Sequence, residues 1–390
     1  MRIERPVDIL MEKTSQNKER RSGLWERFVK SDRFVAGHKW TVILFCAAVM
    51  VLITALKYTL YHESGFTDAY HIMLAANSGD FSGGDSAFVL TASLAHALVS
   101  VFGPLSMRAW GWILLVPGFG MFALIAAKAP AQNLASALVM IAFSVFLPYF
   151  VFMPCVDFIQ YTVFFLMALV LLFVPGQIWK LICGELLLLP VILLFRDYYA
   201  LMAFLAAVMY LFALLYRKPK TIGQQTAFLI GFAMLCVIAL LVLRLVAPES
   251  ANKLFLIRTE TNMGFEHTPA PDKVIMDLMP MDTSVAGFIV NYLSAAIRML
   301  VPAELCADFT DIPFAVFQII LDILILMELI KSRRAYARTG VCSFIIAFFL
   351  MSFVFEPGFG SWFKHEAAAF PILWLGIGHD RLTAERGPDA

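Results

Sequence analysis

The chain has 390 residues; 61% are hydrophobic, 15% are charged, and the mean hydropathy is +0.79. An average soluble domain carries roughly 25% charge, so this composition excludes a soluble globular enzyme, a disordered chain and a nucleic-acid binder. The formal net charge of +1 says little alone, because in a membrane protein the placement of charge carries the information.

The first 39 residues are polar, with ten Lys/Arg against six Asp/Glu. A secretory signal has a short basic region, a short apolar core and a small-residue cleavage site. This segment reads instead as a cytoplasmic tail, 1–39, before an uncleaved first span. A bilayer-crossing helix needs about 20 mostly apolar residues. Such spans are expected at 40–60, 109–128, 131–152, 158–175, 180–195, 198–216, 226–247, 313–330, 340–355 and 367–379, followed by a second tail, 380–390. The stretch 87–106 is also apolar, but it holds Ser93, His96, Ser100 and the pair Gly103-Pro104.

Short cytoplasmic loops are enriched in Lys/Arg. With 87–106 lying in the outer interface as an amphipathic segment, Lys128, Lys180, 217–220, 331–338, Arg381 and Arg386 all fall on the side of the N-terminal tail. Most of the 30 basic residues are then cytoplasmic. If 87–106 crossed, the clusters at 217–220 and 331–338 would move outside. The expected fold is all-α: a polytopic integral membrane protein of about ten transmembrane helices, both termini cytoplasmic, with an interfacial helix in the first outer loop. Outer loops fall at about 61–108, 248–312 and 356–366, and they carry most of the acids, Glu356 and Glu366 among them. The six cysteines form no CxxC pair and four lie in apolar runs. They read as small hydrophobes rather than a metal or disulfide framework. No internal repeat of the kind that marks many transporters is visible.

Four outer segments carry candidate chemistry. In Gly65-Phe66-Thr67-Asp68-Ala69-Tyr70-His71, Asp68 and His71 share a helical face. An acid just above a membrane can act as base towards a hydroxyl or hold a divalent ion; a helix cap by Thr67 or Asp68 is the plain alternative. Asp157, after Pro154, is an acid among apolar neighbours at a span boundary, where it is expensive unless paired or used. It too can simply cap its span. Phe195-Arg196-Asp197-Tyr198-Tyr199 puts a guanidinium at the interface, suited to a bidentate grip on phosphate. Pairing with Asp197 is the alternative, and Tyr198 and Tyr199 read as interfacial aromatics. The loop from Glu356 to Glu366 holds two glycines, Trp362, Lys364 and His365. It suits an anionic headgroup, with Trp362 free to stack on a sugar, or serves as an aromatic-belt turn. Arg258 in the large loop can bind phosphate or stay solvated. Glu185 and Asp322 lie within spans, within a turn or two of a cytoplasmic end, and Arg244 is expected to snorkel.

The order TDAYHIMLA, GPLSMRAWGWILLVPGFGMFALIAAK, SVFLPYFVFMPCVDFIQYTVFFLMALVLL, GELLLLPVILLFRDYYALMAFLAAVMYLFALLYRKP and FKHEAAAFPILWL resembles the GT-C superfamily of polytopic glycosyltransferases. It is also related in look to the EpsG/Wzy-like polysaccharide polymerases. The resemblance covers about 40–220 and the last 30 residues. It implies transfer of a sugar from a polyprenyl-phosphate-linked donor to a glycan or lipid acceptor at the outer face of the cell (inner) membrane, in cell-surface polysaccharide biosynthesis. Asp68 and Asp157 match the family's outer acids and would be catalytic. Arg196 and Tyr198, with His71, Lys364, His365 and Arg258, would bind substrate. A divalent cation (Mg or Mn), held by Asp68 and Asp157, is left open. A repeat-unit polymerase would use similar residues on a different acceptor. A transporter or flippase of lipid-linked sugar would place charges deep in its spans, and a non-catalytic assembly factor would tolerate Asp68→Ala.

Overall fold

The computed structural model describes residues 35, 37–60, 67–82, 84–216, 221–265, 275, 277–279, 281–332 and 339–377. The two expected tails lie almost wholly outside the described residues. The helices in chain order are α1 (Lys39–Leu60), α2 (Thr67–Ser78), α3 (Ser86–Phe102), α4 (Met107–Lys128), α5 (Leu134–Phe146), α6 (Val156–Phe173), α7 (Gln177–Leu194) and α8 (Tyr199–Tyr216). There follow α9 (Ile222–Val246), α10 (Pro248–Phe265), α11 (Val285–Leu300), α12 (Ile312–Ser332), α13 (Thr339–Phe355), α14 (Phe359–Ala368) and α15 (Phe370–Ile377). A π turn, Leu147–Val151, prolongs α5, and a 3₁₀ turn, Ala303–Ala307, precedes α12. No β-strand occurs among the described residues.

Among the described residues, eight helices are long and apolar enough to cross a membrane: α1, α4, α5 with its π turn, α6, α7, α8, α9 and α12. An all-helical chain with this many apolar helices is a polytopic membrane protein. The other two expected spans differ in kind. The 17 residues of α13 are apolar and mostly buried, as befits a helix hydrophobic on all sides and enclosed by others. Within the stretch 367–379, Phe370–Ile377 form the short α15, whose eight residues are all buried, joined to α14 by a break at Ala369.

Local chemistry sets the helix starts. Asp85 accepts from the Phe88 N–H at 2.7 Å and starts α3, while Asn133 and Ser136 form a reciprocal box at the start of α5. The segment 87–106 is thus mainly a 17-residue helix, packed along α2. The large outer loop expected at 248–312 is largely helical, in α10 and α11.

Burial separates core from periphery. No residue of the membrane-spanning stretch of α9 is buried, which suits a helix solvated by lipid. α13 packs along α8 and also meets α7, α11 and α15. Its approach to α7 depends on Gly184, where a Cβ would lie 2.4 Å from the Phe344 ring. Gly184→Leu is therefore expected to lower stability by about 1–3 kcal/mol through overpacking. A lower unfolding midpoint of the detergent-purified protein, restored in Gly184→Leu/Phe344→Ala, checks this.

The two intramembrane acids are deeper than the sequence spacing implies. Asp322 lies ten residues from each end of α12, about 15 Å at 1.5 Å per residue, and Glu185 lies near the middle of α7. Arg244 does not reach out to lipid; its guanidinium donates to Asn252 and, at 3.4 Å, to Thr283.

Candidate functional site

The site starts from a break in the α5–α6 connection. Pro148 opens the π turn, where the Phe152 N–H reaches back five residues to the Leu147 carbonyl at 2.9 Å. The Met153 N–H turns instead to the Val151 carbonyl at 2.8 Å. The Pro148 and Tyr149 carbonyls, which a regular helix would pair with those two N–H groups, accept from the Lys57 amine at 3.1 and 2.7 Å. Lys57 is 2% exposed, so an intramembrane cation on α1 satisfies the carbonyls that the break releases. Sequence reasoning overlooked Lys57; its signal was a lone cation in the last turn of an otherwise apolar span.

Beyond the break, α6 begins with Asp157 in its first turn, where the helix dipole favours a carboxylate. The Lys364 amine of α14 lies 2.9 Å from Asp157 and 3.6 Å from Asp68 of α2. His365 Nε2 lies 3.5 Å from the second Asp157 oxygen, and His365 Nδ1 hydrogen-bonds Glu356. Asp68, Asp157, Lys364 and His365 therefore meet at one end of the bundle. Their roles differ by exposure: the Asp157 carboxylate is 2% exposed and already paired, whereas that of Asp68 is 75% exposed. Burial disfavours the Lys364 ammonium, but Asp157, with Asp68 assisting, outweighs that and holds its pKa above the ordinary lysine value. A raised lysine pKa contributes stability below the unfolded value of about 10.4 and loses it only as pH rises through the higher folded value, so this pair is intact across neutral pH.

Arg196, in the turn between α7 and α8, donates to the Tyr198 hydroxyl at 2.7 Å. Its partner is thus Tyr198, not Asp197, which is exposed. Burial raises the Tyr198 phenol pKa, with Arg196 opposing. Tyr199 is fully buried with its ring stacked on Tyr198 at 4.9 Å, so it is a core residue rather than an interfacial one. Arg196 and Tyr198, together with Gln160, Ser352, Glu356 and His365, line a cavity of about 190 Å³. Phe348 and Phe355 supply apolar wall. The volume lies below the roughly 300–1,000 Å³ of drug-sized pockets and admits one small group.

Three expected contacts are absent from this cluster. His71 is exposed on α2, with its ring edge towards Tyr70. Trp362 is buried, donating to Gln318 at 3.1 Å and stacking on Phe348, so it is not free to stack on a sugar. Arg258 is 5% exposed and donates to the Phe353 and Glu356 carbonyls at 2.5 and 2.7 Å, with Asp277 3.7 Å away. It straps α10 to the end of α13 behind Glu356 instead of facing a ligand. Arg258→Leu is expected to destabilise the chain by about 2–4 kcal/mol, because it orphans two buried carbonyls and removes the cation beside Asp277, which keeps only the Thr259 hydroxyl. A lowered unfolding midpoint checks it.

A divalent cation between Asp68 and Asp157 does not fit this arrangement, because the Lys364 amine stands between the two carboxylates and already compensates them. No protein-family model, curated protein or solved structure matches the chain. Its membership of a class rests on its own residues, and that class is the polytopic helical membrane protein.

Proposed function

We propose that the chain is a membrane glycosyltransferase that moves a sugar from a polyprenyl-phosphate-linked donor to a glycan or lipid acceptor at the outer face of the cell membrane. The observation that carries this reading is the Lys364 amine bridging a buried acid, Asp157, and an exposed one, Asp68, beside the cavity lined by Arg196. Arg196 offers a guanidinium for the lipid phosphate. Asp68, the accessible carboxylate, takes the proton of the acceptor hydroxyl. The acceptor oxygen bonds to the anomeric carbon as the bond from that carbon to the phosphate oxygen breaks, and polyprenyl phosphate leaves. Asp157 and Lys364 position one another and Asp68. A long apolar donor explains why such chemistry is done in a membrane: its chain stays out of water.

The test is transfer by the purified protein from a polyprenyl-phosphate sugar, together with glycan analysis of a deletion strain carrying Asp68→Asn. Loss of one glycan sugar and a fall in transfer of about 100-fold or more, in the range of general-base loss, are expected of a stably inserted Asp68→Asn protein. Wild-type glycan from that variant refutes the assignment. A second reading, a flippase of lipid-linked sugar, is favoured by one observation: Asp322, in the middle of a span, and buried Glu366 are acids within the bundle. It predicts movement of labelled lipid-linked sugar across vesicles by the purified protein, without transfer. Accumulation of single repeat units in the deletion strain would mark the polymerase variant of the first reading.

A further inference from the structure

Glu366 was expected in an outer loop, yet it is 0% exposed and lies within α14 against α12. Gln318 of α12 binds it: the Gln318 Nε2 donates to Glu366 Oε1 at 2.9 Å and lies 3.1 and 3.2 Å from the two oxygens of Asp322. The Trp362 indole N–H donates to Gln318 Oε1 at 3.1 Å. Since indole is only a donor, the Gln318 oxygen must face Trp362 and its NH₂ must face both acids. Two carboxyl groups therefore converge on one neutral amide nitrogen.

The other oxygen of Glu366, Oε2, is buried and has no hydrogen-bond partner among the described residues. No Lys or Arg among the described residues forms an ion pair with Asp322 or Glu366. The acids acting on Glu366 are Asp322 and, at the end of α13, Glu356. On the packed neighbours, α5 and α15 carry no ionisable side chain, and α6 contributes Asp157 and Tyr161, both turned to other partners. The π turn adds Tyr149, set against Phe150 and Lys57; the 3₁₀ turn adds Glu304 and exposed Cys306, α11 adds Arg298, paired with Glu304 at 2.5 Å, and Tyr292, which donates to the Leu350 carbonyl at 3.3 Å, and α13 adds Cys342. Two like charges in a buried site cannot both stay ionised without a compensating cation. The amide N–H groups occupy the space between the carboxylates where a metal cation would need oxygens.

We propose that Asp322 and Glu366 form a proton-binding site inside the bundle: the pair keeps one proton at neutral pH, and that proton fastens α14 to α12. Loss of the proton sets two carboxylates against each other across the helix pair. Since α14 also carries Lys364 and His365, occupancy of this site is linked to the geometry of the cluster at the bundle end. The inference is independent of which reaction the cluster performs.

Infrared difference spectroscopy of the purified full chain tests it. A protonated-carboxyl C=O band is expected at neutral pH, altered in frequency or amplitude by both Asp322→Asn and Glu366→Gln. If either variant fails to fold, dicyclohexylcarbodiimide on the wild-type chain decides. The acid proton passes to a carbodiimide nitrogen, the carboxylate adds to the central carbon, and acyl migration leaves an N-acylurea with no leaving group. That adduct is expected at Asp322 or Glu366 at neutral pH, with exposed Asp85 unmodified. The proposal is overturned if both folded variants leave the band unaltered, or if the wild-type chain gives neither band nor adduct at neutral pH. Loss of the signal when sodium chloride replaces choline chloride at constant pH also overturns it, in favour of a metal-cation site.

Discussion

Lys364→Met is expected to lower stability by about 2–4 kcal/mol and to abolish the function of the cluster. The change leaves Asp157 buried without the amine now 2.9 Å away. Removing one partner of a fully buried ion pair typically costs about 3–5 kcal/mol; the Lys364 side chain is 25% exposed and His365 remains nearby, which reduces the loss. The unfolding midpoint of the purified protein measures the effect. A second variant separates stability from function. Lys364→Met/Asp157→Asn removes the orphaned charge as well, so it is expected to recover most of the stability while function stays lost. Double-mutant additivity, with no recovery, would mean that the two groups are not coupled.

Lys57→Met comes next in size, at about 2–4 kcal/mol. It deletes charge-assisted hydrogen bonds to the Pro148 and Tyr149 carbonyls and leaves both buried acceptors unpaired, each worth about 1–3 kcal/mol. Methionine keeps the length of the side chain, so the loss reports the amine rather than a cavity. The same substitution frees the π turn that precedes Asp157. Function is therefore expected to fall along with the unfolding midpoint, and Lys57→Arg, which retains charge and donors, to recover part of both. An unchanged midpoint in Lys57→Met would show that the break is held by something other than the amine.

The spans were legible because an apolar run of about 20 residues has few alternatives in a chain this hydrophobic, and eight of the ten expected are helices long and apolar enough to cross. The other two correspond to α13 and α15, which are shorter apolar helices enclosed by others; hydropathy measures apolarity and does not report enclosure. Asp157, Arg196, Lys364 and His365 stand out as charges at span boundaries, and the structure brings Asp68, Asp157 and His365 together through Lys364 and Asp157. Glu366 was misplaced because it follows Lys364 and His365 in the sequence and was read as part of a polar loop. Once 359–368 is a helix, Trp362 and Glu366 are four residues apart and share a face, and that face meets Gln318. Arg258 looked free for phosphate because nothing local pairs with it; its partners are 95 and 98 residues away, beyond the reach of any spacing argument.

The enclosure of α13, α14 and α15 bears on how the chain is made. Apart from one another, these helices emerge after every element they pack against, so the earlier spans enter the membrane before their common core exists. Until then, Asp157 has no lysine and Gln318 has no indole to orient it. A chain that stops after α12 would hold its eight apolar helices in the bilayer yet lack the packing that turns them into one body, and it would present its buried acids to the machinery that removes unfinished membrane proteins.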